Sequence, residues 1–249
     1  MGKSRRQFNP EAFPTMARWL SGAGITDVLS SNVATVLSVD FLPGNGPGGT
    51  CAQSCSYCYA RSGHQSMARA RCLQRARADL YRADPAGWAR SVKDALGRIN
   101  DRYGIGIGTA GRPLRMFGAG DVVSADHWRR AAAELSKHSV AYYGYSKVAD
   151  VDDVRLMFSA DADTDPQDLD RARALGRRIV YVRSSTADVP PADAAVVFPY
   201  HNRVQSIVRD RRDCFKLRNV HGAGVCYTCG RCMARGRGTS TTTTKGGIR

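Results

Sequence analysis

Six short β-rich runs constrain the fold more than any other feature of the sequence. They are Asn32–Leu42, Leu114–Phe117, Val140–Ser146, Val154–Ser159, Arg178–Val182 and Ala194–Phe198. Runs of this length, bounded by Gly, Pro, Asp or Ser, read as strands. Helical stretches separate some of them: 64–83, Pro85–Tyr103, Ala125–His138 and Asp165–Leu175. The first is expected to turn Met67, Leu73, Ala76 and Leu80 inward and its arginines outward. The second places Trp88, Val92, Leu96 and Ile99 at helical spacing, and Asp165-Pro166 supplies an N-cap and first-turn pair to the fourth. Alternation of this kind implies a largely parallel sheet, and parallel sheets bind ligands at the carboxyl ends of their strands. A chain of 249 residues suits one domain of the α/β barrel kind, or one domain plus a small appendage.

The segments just after the strands are therefore the place to look for chemistry. The first strand runs into a Pro-Gly-Asn-Gly-Pro-Gly-Gly loop that delivers Cys51, Cys55 and Cys58, spaced C-x3-C-x2-C with Tyr57 before the last. The second ends in Gly118-Ala119-Gly120-Asp121, the fourth in Ser159 and Asp161, and the sixth leads to His201. The N-terminal segment carries charges but no apolar core of a secretory signal, so a cytoplasmic, reducing setting is expected. In that setting eight cysteines point to metal or cluster ligation rather than disulfides. Three thiolates on one loop hold three irons of a cubane and leave the fourth open for a substrate or cofactor. The same spacing also serves a zinc site with a distant fourth ligand such as His64.

A second group, Cys226, Cys229 and Cys232, is spaced C-x2-C-x2-C, with Cys214 twelve residues upstream as a fourth candidate ligand. Four thiolates satisfy either a closed zinc site or a second 4Fe–4S cluster, though tetrahedral zinc favours two C-x2-C pairs and this spacing overlaps. Cys72, inside a helical stretch, reads as a packing residue. On the third strand Tyr143 and Tyr145 share one face and Tyr142 takes the other, as closing residues of a core or as a surface that stacks a base.

The first triplet, with its aromatic at Tyr57 and its place after the first strand, resembles the signature of the radical S-adenosylmethionine (SAM) superfamily. The resemblance spans roughly residues 34–232. It implies an α/β fold, a partial (β/α)6 barrel with a small cysteine-rich C-terminal extension. It implies a 4Fe–4S cluster on Cys51, Cys55 and Cys58 whose open iron binds SAM. Cleavage of SAM then yields a 5′-deoxyadenosyl radical that abstracts hydrogen from a substrate, with an external one-electron reductant. Gly118, Gly120 and Asp121 resemble the superfamily's GGE-type turn, with aspartate in place of glutamate. Ser159 and Asp161 fall where polar contacts to SAM are expected, Tyr59 near the adenine, and Arg61 and His64 within reach of the site. The C-terminal cysteines then suggest an auxiliary 4Fe–4S cluster, with zinc as the alternative.

The net charge of +15 is uneven. Residues 61–112 carry 11 basic and 4 acidic side chains and residues 202–249 carry 11 and 2, whereas 113–201 carry 11 and 13. The excess flanks both cysteine groups, as a surface for a polyanion would. The layout looks like a group of small phage-borne radical SAM-like proteins, which implies a DNA substrate, a modified thymine base that is isomerised or remodelled, in the host cytoplasm. Two other classes fit the residues: a radical SAM enzyme acting on a peptide or small metabolite, and a non-enzymatic zinc-stabilised nucleic-acid-binding protein. The expected organisation is an N-terminal arm over 1–31 with a short helix near Thr15–Leu20, a barrel over 32–201, a cysteine extension over 202–233 and a disordered basic tail over 234–249. No apolar run is long enough to span a membrane.

Overall fold

The computed structural model describes residues 28–32, 36–51, 68–104, 106–183, 185 and 187–199. The segments 1–27, 52–67 and 200–249 lie outside the described residues, and with them the helix expected near Thr15–Leu20 and both the cysteine extension and the tail. Seven strands form one open sheet: β1 (Ser30–Asn32), β2 (Val36–Asp40), β3 (Leu114–Ala119), β4 (Tyr142–Ser146), β5 (Leu156–Ala160), β6 (Ile179–Arg183) and β7 (Ala194–Pro199). Among the described residues four helices accompany them: α1 (Ala68–Ala83), α2 (Pro85–Tyr103), α3 (Ala125–Lys137) and α4 (Pro166–Ala174).

Strands β2 to β7 are parallel and neighbour one another in chain order. They coincide with the six runs read from the sequence, but Asn32–Leu42 is not one strand. Ser30–Asn32 folds back as β1 and pairs antiparallel with β2, Ser30 opposite Ser38 and Asn32 opposite Val36. Serine-rich β1 lacks the alternating apolar pattern by which a strand is recognised, so only pairing reveals it.

The parallel strands are buried on both faces, as covered parallel sheets are. One face packs on α2 and α3: Trp88, Val92 and Leu96 of α2 and Trp128 and Leu135 of α3 join Phe41, Leu114, Met116 and Leu156 in one core. Helix α2 begins where the sequence places it, with Asp84 accepting from the Gly87 amide at 2.8 Å and Pro85 in the first turn. It ends at Gly104 in the left-handed conformation, φ 64°.

Helix α1 departs from expectation. Leu73 and Ala76 are half-buried, Leu80 is exposed, Met67 lies outside the described residues, and the buried side is Gln74, Arg77, Ala78 and Tyr81. Arg77 is drawn inward because it donates to the Leu29 carbonyl at 2.9 Å and the Ser30 hydroxyl at 2.6 Å, which ties α1 to β1. Tyr81 packs tilted against Phe41 and edge-on against Trp88, both at 5.0 Å between centroids.

The opposite face of the sheet is concave. Tyr145 on β4 and Phe198 on β7 lie three strands apart, yet their rings meet edge to face at 5.6 Å. On a flat sheet three strand spacings alone amount to about 14 Å. Side chains stand roughly perpendicular to a sheet, so such rings converge only where the sheet curls. Met157, Val180 and Val196 line the same face.

Two buried polar knots fasten the layers. Asp153 accepts from Trp128 Nε1 at 2.9 Å, Tyr142 Oη at 2.7 Å and Arg155 Nε at 2.8 Å, joining α3, β4 and the approach to β5. Burial alone would raise the Asp153 pKa, but the hydrogen bonds from Arg155, Tyr142 and Trp128 and the Arg155 charge outweigh it and hold the carboxyl below its usual value. Arg177, just before β6, gives its donors to backbone: Leu156 at 2.8 Å, Val148 at 2.6 Å, Met157 at 3.2 Å and Ser146 at 3.3 Å. Burial lowers its pKa to about 10, against the pull of Asp121 and Asp153.

Replacing Arg177 by Met is expected to cost about 3 kcal/mol, since buried carbonyls lose their donors, and Arg177→Lys to recover less than half of that. Urea unfolding of the three proteins measures it, and equal midpoints would refute the clamp. A depressed carboxyl stabilises above its unfolded pKa of about 3.9 and loses that contribution as pH falls through the folded value. Asp153→Asn is therefore expected to be less stable at pH 7 and to lose less stability than the parent below about pH 4. Urea midpoints between neutral pH and pH 3 give the comparison.

Candidate functional site

The carboxyl ends of β2 to β5 are joined by a chain of hydrogen bonds. After β2 the backbone doubles back through residues 43–50. The Gly49 amide donates to Gly46 O at 2.9 Å, Thr50 to Leu42 O at 3.0 Å and Cys51 to Gly44 O at 3.1 Å. Only glycine fits at 49, where a Cβ would lie 2.0 Å from the Gly44 oxygen. The loop thus returns Thr50 and Cys51 to the strand end they left. Arg82 of α1 braces it by donating to the Gly49 carbonyl.

Strand β3 reaches the same place by a distortion. Between Ser38/Arg115 and Asp40/Ala119 its register slips against β2, and Phe117 takes φ 54°. That conformation is uncommon for a bulky residue. It turns Phe117 into the helix-side core against Trp128 at 5.3 Å. Gly118 then backs onto Asp40, whose Oδ1 would lie 2.3 Å from a Cβ there. Gly120, at φ 75°, leaves room for Thr50: a Cβ would lie 2.6 Å from its hydroxyl. The Asp121 amide donates to that hydroxyl at 2.9 Å. So the Cys51 loop and the Gly118–Asp121 turn, 71 residues apart at this contact, touch directly.

The Asp121 carboxylate points into the protein. It accepts from the Val122 amide at 2.7 Å and the Lys147 amide at 2.8 Å, linking the end of β3 to the end of β4. Burial raises its pKa; the Ser146 hydroxyl, the Lys147 and Val122 amides and the Arg177 charge oppose the rise. Its oxygens are engaged by these donors, so its evident work is to hold the turn. Lys147 Nζ in turn contacts Asp161, just after β5. Asp161 also accepts from the Thr164 hydroxyl at 2.9 Å and the Asp163 amide at 3.1 Å. Burial raises the Asp161 pKa, the Thr164 and Asp163 hydrogen bonds lower it, and the charges of Asp163 and Asp188 add to the rise.

The fold thus brings together Cys51, Gly118, Gly120, Asp121 and Asp161. Ser159 is half-buried on β5 opposite Val180, and by strand alternation shares the concave face with Met157. It is not part of the hydrogen-bond chain. Tyr143 and Tyr145 also lie on that face, 6.4 Å apart, while Tyr142 packs on Trp128 at 5.3 Å on the other side. Cys51 is half-buried as a thiol, and so is Cys72, whose pKa burial raises against the charges of Arg75 and Arg71. Tyr57, Tyr59, Arg61, His64, His201, Cys55, Cys58, Cys214, Cys226, Cys229 and Cys232 lie outside the described residues. Among the described residues no three His, Cys, Asp or Glu side chains gather as a metal site.

Sequence reasoning passes over Thr50, Lys147, Asp40 and Arg177. The first two carry a signal: each is a polar residue at a strand end or beside a motif. Asp40 and Arg177 act by burial, which the sequence does not display.

The fold and strand-end chain define a mixed α/β protein whose described residues form a six-stranded parallel sheet with four helices and a candidate site at the sheet's carboxyl edge. The chain belongs to the Gene product 88 family, which matches residues 24–235. No curated protein and no solved structure matches it.

Removing the Thr50 hydroxyl leaves the buried Asp121 amide without its acceptor. Thr50→Val is expected to cost about 1–3 kcal/mol and Thr50→Ser less than about 1 kcal/mol. Thermal unfolding ranks the variants, and a valine protein as stable as the parent would refute the bridge.

Proposed function

We propose that this protein is a radical SAM enzyme acting on a base in nucleic acid. The observation that carries the proposal is the hydrogen bond from the Asp121 amide to Thr50. It makes neighbours of a cysteine-bearing loop after the first parallel strand and a glycine-rich turn after the second. A cluster ligand and a cofactor-binding turn must be neighbours if one is to present SAM to the other.

Bound to a 4Fe–4S cluster, SAM supplies a 5′-deoxyadenosyl radical for hydrogen abstraction from an unactivated C–H bond. The residues of this chain fit that task in several ways. The Cys51 thiol is half-buried at the carboxyl edge, its backbone amide fixed by Gly44. It would hold the cluster together with Cys55 and Cys58. Gly118 and Gly120 keep the end of β3 free of side chains beside it, although packing on Asp40 and Thr50 also demands glycine there. Ser159, Lys147 and Asp161 offer polar groups at the next strand ends. Chain-order strands with a concave face support the partial (β/α)6 barrel. Cys214, Cys226, Cys229 and Cys232 would hold an auxiliary cluster or zinc.

A base in DNA, isomerised or remodelled as a modified thymine, suits the basic segments beside both cysteine groups. The aromatic rings of Tyr145 and Phe198 on the concave face suit a planar substrate. Among the described residues no helix is long and apolar enough to cross a membrane.

Anaerobic reconstitution with iron and sulfide counting and a SAM-cleavage assay tests the chemistry. About eight irons are expected for two clusters, or about four with zinc retained at the second group. The Cys51/Cys55/Cys58→Ala triple variant is expected to lose about four irons and all 5′-deoxyadenosine formation. Zinc alone, with no deoxyadenosine from the parent protein, overturns the proposal.

A further inference from the structure

We propose that one stripe of α1, with the glycine loop beside it, docks the sugar–phosphate backbone of DNA; the choice of partner rests on the nucleic-acid reading above. Arg71, Arg75 and Arg82 recur at i, i+4 and i+11 and so share one side of the helix. That side borders the loop leading to Cys51. A Cβ on Gly48 would lie 3.1 Å from Arg75 Nε, and Arg82 donates to the Gly49 carbonyl.

The cations of this stripe are less fully compensated than those of α3 and α4. On α3, Arg129 and Arg130 both pair with Asp126, at 3.0 and 2.7 Å. On α4, Arg171 pairs with Asp150 at 3.1 Å, and Arg173 with Asp170 at 2.9 Å and Asp193 at 2.8 Å. The sole acid on α1 is Asp79. Arg82 contacts it at 3.0 Å and Arg75 only at 3.8 Å, with the Arg75 side chain 61% exposed. Arg71 is exposed and has no ion-pair partner among the described residues. The first turn of α1 holds no acid either, so the helix dipole adds to the positive field there.

The neighbouring loop is shaped for close approach. Asn45, Gly46 and Pro47 are exposed, and the space beside Gly46 is open. A regular polyanion can therefore lie along α1 against bare backbone, with its bases directed to the carboxyl edge where Cys51 sits. An acidic peptide would meet the charge but would gain nothing from regular phosphate spacing.

The test is binding of the full chain to a labelled DNA duplex of mixed sequence between about 50 and 200 mM salt. Each phosphate contact contributes about 0.9 to the slope of log affinity against log salt. Arg71→Ala/Arg75→Ala is expected to lower that slope by nearly two. Arg129→Ala/Arg130→Ala removes the same charge from α3 and is expected to leave the slope unchanged. Equal losses in the two variants, no binding by the parent, or polyglutamate competing as well as unlabelled DNA overturns the docking surface. DNA binding that depends on α1 without deoxyadenosine formation sinks the radical chemistry and leaves the surface standing. Deoxyadenosine formation without such dependence does the reverse.

Discussion

Arg177 places a guanidinium where no carboxylate of the described residues touches it, and the carboxyl edge of the sheet is arranged around that fact. Its donors go to carbonyls at the end of β4 and within β5. The β4–β5 connection carries no helix, although parallel strands usually need one to cross back. A fork of several donors in a fixed plane replaces that missing element, which an ammonium on a flexible stem cannot do. The residual charge is offset at longer range by Asp121 and Asp153. Both acids are themselves structural: Asp121 ties β3 to β4, and Asp153 ties α3 and β4 to the approach to β5.

The same arrangement gives the candidate site its rigidity. Thr50, Asp121, Lys147 and Asp161 come from four successive strand ends and form one connected chain. In a site built this way the polar groups at each strand end are positioned by those at the next. Its neighbours divide the labour. The helix side of the sheet is an aromatic core of Phe41, Tyr81, Trp88, Phe117 and Trp128, while the concave side carries Tyr143, Tyr145 and Phe198. The cations of α1 stand outside both, beside the loop that bears Cys51.

Much of the fold is legible in the sequence. Strands β2 to β7 and the four described helices follow from apolar runs, helical spacing and the Asp165-Pro166 cap. Strand β1 is hidden because Ser30–Asn32 has no apolar pattern and exists through pairing. The inward face of α1 escapes the pattern because burial of Arg77 depends on hydroxyl and carbonyl acceptors 47 and 48 residues away. Leu80 reads as a core residue by its apolarity, which does not say what surface is available to cover it.

Of the candidate site, the sequence determined which residues stand at strand ends: Cys51, the Gly118–Asp121 turn, Ser159 and Asp161. That follows from local rules, because periodicity and glycine placement act over a few residues. The tertiary structure alone decided that Cys51 and Asp121 are neighbours through Thr50, that the Asp121 carboxylate turns inward, and that Tyr145 meets Phe198 across three strands. These depend on register, on the slip at Phe117 and on the curl of the sheet. Such quantities are set by packing between segments far apart in the chain, so no local pattern records them.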